Sequence, residues 1–361
     1  MDDLLDVDAL KASFRDVLSV EASVDTVLAH FNHARSTARP LWDTIVGLGW
    51  TALSVPEAHG GLGLGIDALV ALYEEAGRAV APVPLLSTML AVDAIARGAS
   101  AAQQAEWLPM IAAGAVVAID PPAPLQPPTL TIAPASHGWH LSGTTRMLDA
   151  ADADRLLHLA IASDGSLRRV LLSPEHVERL PLWDHGHTLS DIVYRDRPIS
   201  DEAVFDTNGE VEEALAIHAS LALAAEAVGG SQALLPLTID FLKTRQQFGK
   251  PIGSFQALKH RVADHQTRLE GDRLLLASAV ALAVANDRLA PSEASAAKAL
   301  ACANYAELAR DAIQLHGGIG FTAEQACHLF LKRARLIELL FGDKSFHLAR
   351  AASALDQEIA A

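Results

Sequence analysis

Apolar residues recur at helical spacing over the first part of the chain, from Leu4 to about Gly114. One set of them shares a helix face, because 3.6 residues complete a turn: Val24, Val27, Leu28 and Phe31. Pro, Gly and Asn interrupt this pattern instead of alternating with the apolar residues. The pattern predicts an N-terminal helical domain over residues 1–118.

The pattern changes between Asp120 and Thr207. This segment opens with five closely spaced prolines: Pro121, Pro122, Pro124, Pro127 and Pro128. Short apolar runs follow, and some alternate with polar residues (129–132) while others are continuous (170–172). Short runs of this kind between turn-forming residues are typical of β-strands. They predict a compact β-domain over residues 119–207.

From Val211 onward the helical pattern returns in longer segments, which predicts a C-terminal helical domain over residues 208–361. The chain is therefore expected to be mainly α-helical with a central β-domain. Its 361 residues accommodate two or three domains, at roughly 150 residues per domain, or one large composite unit.

The charge and the cysteines exclude several classes of function. Lys and Arg number 28 against 44 Asp and Glu, so the formal net charge is −16. Such an acidic chain is a poor candidate for binding nucleic acid or an anionic membrane surface. Cys302 and Cys327 lack CxxC spacing, and the 15 histidines form no HExxH motif. We therefore expect neither a disulfide framework nor a metal site.

Two features bear on location. Residues 1–6 read Met-Asp-Asp-Leu-Leu-Asp, whereas a signal peptide begins with basic residues followed by an apolar stretch. The longest apolar run without Gly or Pro, residues 274–285, is too short to cross a bilayer core of about 30 Å as a helix. We expect a cytoplasmic protein without membrane insertion.

Two glycine-rich stretches, residues 60–65 and 316–320, are candidates for phosphate binding. Neither has the full spacing of a dinucleotide or P-loop fingerprint, and the first is typical of tight turns. The second lies in the same helical block as the possible donors Arg245, Gln256 and Gln314. Glycine backbone with such donors can hold a pyrophosphate, although residues 245–256 also suit a solvated turn between helices.

Several motifs resemble the acyl-CoA dehydrogenase family, in order along nearly the whole chain. The N-terminal motifs are Leu48-Gly49-Trp50, residues 55–63 and residues 74–78. Trp139, Leu141, Ser142 and Gly143, followed by residues 150–154, are similar to the central β-domain of that family. Residues 245–256 and 314–322 are similar to its C-terminal cofactor motifs.

The resemblance implies a flavoenzyme with an N-terminal helical domain, a β-barrel-like middle domain and a C-terminal four-helix bundle, usually a tetramer. It implies that a glutamate removes the α-proton of an acyl-CoA while FAD accepts the β-hydrogen as hydride, with electron-transfer flavoprotein as acceptor. It implies six cofactor-binding residues: Arg245, Phe248, Gln256, Gln314, Gly317 and Gly318. All of them but Gln256 and Gly317 match family positions that bind the ADP half of a FAD held mainly by the neighbouring subunit.

The chain departs from the family at both usual positions of the catalytic base. One position is occupied by Gly342. The other is occupied by Ala219, whose neighbours His218 and Ser220 are not carboxylates either. Three nearby carboxylates are candidate substitutes, and each also suits a surface or helix-end charge: Glu338, Asp343 and Glu226.

The loop that contacts the flavin ring in this family also differs here from the family pattern. The family pattern is Thr-Glu-Pro-x-Ala-Gly-Ser-Asp, whereas residues 119–126 here read Ile-Asp-Pro-Pro-Ala-Pro-Leu-Gln. Prolines lack the N–H groups that such a loop offers to flavin and substrate. The chain thus lacks the usual base and the loop donors but retains the ADP-binding motif. This combination resembles one subunit of the α2β2 acyl-CoA dehydrogenases of bacterial steroid catabolism, in which a related partner chain carries the base.

This first hypothesis competes with two others. The chain could be a self-sufficient homotetramer with a relocated carboxylate base, in which case its partner is itself. It could also be a helical binding or scaffold protein that has lost flavin, although the retained ADP-binding motif argues against this.

Overall fold

The structure is a computed structural model that describes residues 6–33 and 36–360. Residues 1–5, 34–35 and 361 lie outside the described residues, and so does most of the acidic start on which the expected location partly rests.

Among the described residues, six α-helices precede the sheet, which confirms the predicted N-terminal helical block. They are α1 (Val7–Glu21), α2 (Val24–His33), α3 (Arg39–Gly47), α4 (Ile66–Arg78), α5 (Leu85–Gly98) and α6 (Ala101–Ala112). Phe14 and Leu18 of α1 are buried, as are Val27 and Phe31 of α2, as the helical spacing of apolar residues requires.

The central segment forms an eight-stranded sheet, which confirms the predicted β-region. Its strands are β1 (Val117–Ile119), β2 (Leu130–Pro134), β3 (Trp139–Leu148), β4 (Arg155–Ala162), β5 (Leu167–Leu172), β6 (Glu178–Leu180), β7 (Leu189–Ile199) and β8 (Val204–Thr207). The order is β6-β7-β3-β2-β4-β5-β8, with β1 paired to β4. Strands β1 and β2 run parallel to β4, and the other neighbours are antiparallel. The prolines after β1 lie in the connection to β2.

The C-terminal part is helical again. It comprises α7 (Gly209–Thr244), α8 (Gln256–Val284), α9 (Ala290–His316), α10 (Cys327–Leu339) and α11 (Lys344–Ala360). A short hairpin of β9 (Gln246–Gln247) and β10 (Lys250–Pro251) separates α7 from α8. Helix α7 is long and apolar enough to cross a membrane, but 83% of its most apolar window is buried inside the protein, as in the core helix of a soluble protein.

The described residues divide into two compact units. One contains residues 6–33, 66–81 and 220–360, and the other contains residues 36–65 and 82–219. Helix α7 therefore begins in the second unit and continues in the first. The predicted domain limits at 118/119 and 207/208 follow the order of elements along the chain and stay predictions.

Helices α4 and α7 approach each other closely inside the first unit. A Cβ atom on Gly77 would overlap with the backbone of Glu226, and one on Gly229 would overlap with the backbone of Glu74. Only glycine permits such an approach of two helix backbones. This packing places Glu226, one of the candidate carboxylates, against α4.

Candidate functional site

The hairpin between α7 and α8 presents a strained aromatic residue to the outside. Phe248 and Gly249 have φ angles of 52° and 75°, so both central residues of the turn are left-handed. A phenylalanine rarely adopts this backbone conformation, and its side chain is 88% exposed. Strain and exposure combined at one apolar residue indicate a binding role.

Arg245 lies at the junction of α7 and the hairpin. Its N–H donates to the carbonyl of Phe241 at 2.9 Å, and its carbonyl accepts from the N–H of Ile252 at 2.8 Å. The backbone is thus fixed, while the guanidinium is exposed and makes no hydrogen bond or ion pair within the part of the chain that the structure describes. Gln256, the first residue of α8, is exposed as well.

The second predicted segment lies where α9 ends. Gln314 is exposed in the last turn of this helix, and Gly317 follows it with a φ of 66°. A Cβ atom on Gly317 or Gly318 would meet no other atom, so the backbone here is open to a ligand. Phe321, at the end of the same turn, is 77% exposed.

An aromatic stack brings these two segments together. Phe241, one helical turn before Arg245, stacks on His316, with ring centroids 4.3 Å apart and an interplanar angle of 27°. His316 Nδ1 donates to the carbonyl of Ala312 at 2.7 Å, which fixes the ring. Phe241 was not anticipated from the sequence, and its spacing of four residues from Arg245 is the only signal that could have indicated it.

We call these six positions the donor surface: Arg245, Phe248, Gln256, Gln314, Gly317 and Gly318. A guanidinium binds phosphate oxygens in a bidentate manner, and amides with open glycine backbone add further donors. An exposed aromatic ring provides a stacking face. The donor set fits a pyrophosphate with an attached purine, and every member is exposed in the single chain.

Gly342, at one expected base position, lies in a turn that is closed to side chains. Its φ is 111°, and a Cβ atom there would overlap with the ring of Phe346. Lys298 is buried and donates from Nζ to the carbonyls of Gly342 and, at 3.0 Å, of Glu338. Burial lowers the pKa of this lysine below its usual value. Two carbonyls of this turn therefore bind a lysine, while position 342 itself carries no side chain.

Ala219, at the other expected position, is fully buried in α7. The preceding residue, His218, donates from Nδ1 to the carboxylate of Asp93 on α5 at 3.1 Å. The following residue, Ser220, is also buried. This stretch of α7 thus carries no carboxylate, as the sequence indicates.

Each candidate substitute carboxylate has a structural partner. Glu226 accepts from Arg333 at 2.6 Å, and Glu338 pairs with Arg335. Asp343 accepts from the N–H of Phe346 at 2.9 Å and so caps the N-terminus of α11. These contacts favour the interpretation of all three as structural charges, and their exclusion as bases stays a prediction.

Glu226→Gln is expected to destabilise the chain by about 3 kcal/mol, because it removes the charge that pairs with a buried arginine. Arg333 is only 2% exposed. The control is Glu307→Gln, which removes the charge of the exposed pair between Glu307 and Arg268 and should cost less than about 1 kcal/mol. Thermal unfolding of both variants measures the difference. Equal losses would contradict the structural role of Glu226.

The proline loop, residues 120–126, offers no backbone donor. Three of its residues are prolines without an N–H group. The other four N–H groups are used inside the chain: Asp120 donates to Leu157 (3.0 Å), Ala123 to the Glu212 carboxylate (3.0 Å), and Leu125 and Gln126 to Pro122 (2.9 and 3.1 Å). A ligand beside this loop therefore finds no unsatisfied N–H among these residues.

Comparison with known proteins points to one family. Residues 6–115 match the model of the acyl-CoA dehydrogenase N-terminal domain, and residues 213–355 match that of the C-terminal domain. The chain is 32% identical to acyl-CoA dehydrogenase IpdE2 of Mycolicibacterium smegmatis, over 94% of this chain and 96% of that protein. It is 34% identical to acyl-CoA dehydrogenase FadE34 of Mycobacterium tuberculosis over 86% of this chain, but it spans only 41% of that protein.

A solved structure shows the same architecture. The Tcur3481-Tcur3483 steroid ACAD G363A variant superposes with a TM-score of 0.87 at 29% identity, over 98% of this chain and 99% of the matched chain. The arrangement of helices and sheet described above is therefore shared along nearly the whole chain.

Proposed function

Because the chain belongs to the acyl-CoA dehydrogenase family, we propose that it is the base-lacking subunit of a heteromeric acyl-CoA dehydrogenase. The family and its cofactor, FAD, were both expected from the motifs and are confirmed. The observation that carries the proposal is the turn at Gly342, where the base position has no side chain and an added Cβ atom would overlap with the ring of Phe346.

The donor surface is the part of this chain that binds FAD. When bound, FAD supplies the hydride acceptor for α,β-dehydrogenation of an acyl-CoA thioester. Arg245 provides two parallel N–H donors for the pyrophosphate, and Gln314 adds an amide. Phe248 provides an aromatic face. The family resemblance implies that such a flavin would have its ring in the pocket of a neighbouring subunit, and the exposure of all these groups in the single chain agrees with that role.

The proline loop supports this division of roles. Catalysis requires hydrogen-bond donors beside the flavin and the thioester, because an α-proton becomes removable only when the developing enolate is stabilised. In this chain the N–H groups of residues 120–126 are either absent or already bonded. A homo-oligomer would repeat this loop and the closed base turn in every subunit, so that none of its sites would be complete.

The expected partner is a related acyl-CoA dehydrogenase chain that carries the glutamate and a donor-bearing loop. A steroid-type acyl-CoA is the proposed substrate, because the solved relative of 29% identity is described as a steroid ACAD. We further propose electron-transfer flavoprotein as the electron acceptor and the cytoplasm as the location.

The test combines FAD content per chain with native mass, measured for the chain alone and after co-expression with a base-bearing relative. The complex is expected to contain both chains and fewer FAD molecules than chains, and only the complex should oxidise an acyl-CoA. A homotetramer of this chain that holds one FAD per subunit and turns over would establish the relocated-base alternative. A stable complex without any FAD would support the scaffold alternative.

A further inference from the structure

A buried ion pair lies behind the proline loop. Arg169 of β5 and Glu212 in the first turn of α7 are both fully buried. They form a bidentate contact, with Nε to Oε1 at 3.0 Å and Nη2 to Oε2 at 2.7 Å. Neither residue lies in the motifs quoted above, and the proposed function uses only the bond between the Ala123 N–H and Glu212.

Both partners of this pair also hold the loop. Arg169 Nη1 donates to the carbonyl of Asp120 at 3.1 Å, and Glu212 Oε2 accepts from the N–H of Ala123 at 3.0 Å. Glu212 Oε1 additionally accepts from the hydroxyl of Thr207 at 2.9 Å. The pair thus attaches the loop at two points to the sheet and to the start of α7.

The side chain of Asp120 provides a third attachment. It is buried and accepts from the hydroxyl of Thr145 at 2.6 Å and from the N–H of Leu159 at 2.9 Å. His158 Nδ1 lies 3.1 Å from the same carboxylate, and because a carboxylate only accepts, this nitrogen is the donor. His158 Nε2 lies 2.8 Å from the hydroxyl of Tyr194 and forms a hydrogen bond with it.

Energetics favour a positioning role over simple stabilisation. A buried ion pair loses the hydration of both charges, so that well-packed apolar residues in its place are often at least as stable. The N-terminus of α7 interacts favourably with the negative charge of Glu212. Apolar residues could not donate a hydrogen bond to the carbonyl of Asp120 or accept one from the N–H of Ala123.

We propose that Arg169 and Glu212 are positioning residues that hold the proline loop in the conformation without free N–H groups. In this conformation the loop cannot accept a flavin ring, so the pair keeps the subunit's own site without cofactor. The inference rests on the proposed function for its biological meaning, but the attachment itself is a property of this chain.

The test is hydrogen exchange at Ala123 in the full-length chain without FAD. Arg169→Met/Glu212→Leu removes both charges together, so that neither is left buried without its partner, and the variant is expected to fold. Exchange at Ala123 is expected to become at least about tenfold faster, while the strands of the sheet stay protected. The matched control is Arg146→Met/Asp191→Leu, which removes an exposed bidentate pair between β3 and β7 and should leave Ala123 unchanged.

A second variant distinguishes the role of the Glu212 oxygen as an acceptor for Ala123 from the role of the Glu212 charge. Arg169→Met/Glu212→Gln is also uncharged but keeps an amide oxygen for Ala123, so slow exchange at Ala123 is expected to return. Unchanged exchange in the folded Glu212→Leu double variant would overturn the proposal. Exchange that rises equally over the whole sheet would also overturn it, since that result reports a general structural role. None of these readouts depends on FAD content or native mass, so a failure of the proposed function is recognised separately.

Discussion

Gly342→Glu is expected to leave the isolated chain without acyl-CoA dehydrogenation and to lower its unfolding temperature. A residue with a side chain in the left-handed region costs about 1–2 kcal/mol relative to glycine. Gly342 has a φ of 111°, and its Cβ atom would overlap with the ring of Phe346. Either the turn or the first part of α11 must therefore shift before the new side chain can be accommodated.

The new carboxylate would also be a poor base. Lys298 Nζ already donates to the carbonyl of Gly342, so this lysine lies in the turn that would carry the introduced side chain. A neighbouring cation stabilises the carboxylate anion and lowers its pKa, which weakens it as a proton acceptor. The missing donors of the proline loop remain missing, because the substitution does not affect them.

The control for this variant is Gly165→Glu. Gly165 lies in the exposed turn between β4 and β5 with a φ of 83°, and a Cβ atom there would meet nothing. Both variants place a side chain at a positive φ, but only Gly342→Glu also overlaps with the ring of Phe346. The unfolding temperature of Gly342→Glu should therefore fall further. Thermal unfolding and acyl-CoA-dependent dye reduction with added FAD measure the two effects. Robust turnover by Gly342→Glu alone would show that the proline loop does not prevent catalysis.

The order of helical and β segments was predictable because it depends on local periodicity. The β-region was recognisable from short runs, and residues 130–132 and 170–172 do lie in strands β2 and β5. Glycine and proline positions are also local signals, so the missing N–H groups of the three loop prolines could be read from the sequence. The sequence could not show that the other four N–H groups are bonded, because their acceptors include Leu157 and Glu212, which lie far along the chain.

The same limit applies to charged residues. Arg169 precedes an apolar run and would be expected at the surface, yet it is fully buried because Glu212, 43 residues later, neutralises it. Glu226 was a candidate base because it lies two helical turns past Ala219, and its partner Arg333 is 107 residues away. Whether a carboxylate is available for chemistry depends on such long-range partners, and periodicity carries no information about them.

Arg245→Ala is expected to weaken FAD binding by the assembled complex by roughly ten- to a hundredfold, since hydrogen bonds to charged groups contribute about 1.5–3 kcal/mol. Folding should be unaffected, because the guanidinium is exposed and bonds to no residue in the described part of the chain. Arg245→Lys should bind FAD more tightly than Arg245→Ala but more weakly than the unmodified complex, since an ammonium keeps the charge but loses the bidentate geometry. FAD retained per complex after gel filtration is the measurement.

Lys243→Ala is the matched control for Arg245→Ala, because it removes an exposed cation from the same helix end, where Lys243 pairs with Asp240 at 3.2 Å. If the loss of FAD reflected only general attraction between the cofactor and positive charge, both variants would lose it equally. If the donor surface binds the pyrophosphate, only Arg245→Ala should lose it. Unchanged FAD in a folded Arg245→Ala complex would mean that the partner chain holds the cofactor unaided. The exposed Phe248 and the open glycines at the end of α9 would then have no ligand to explain them.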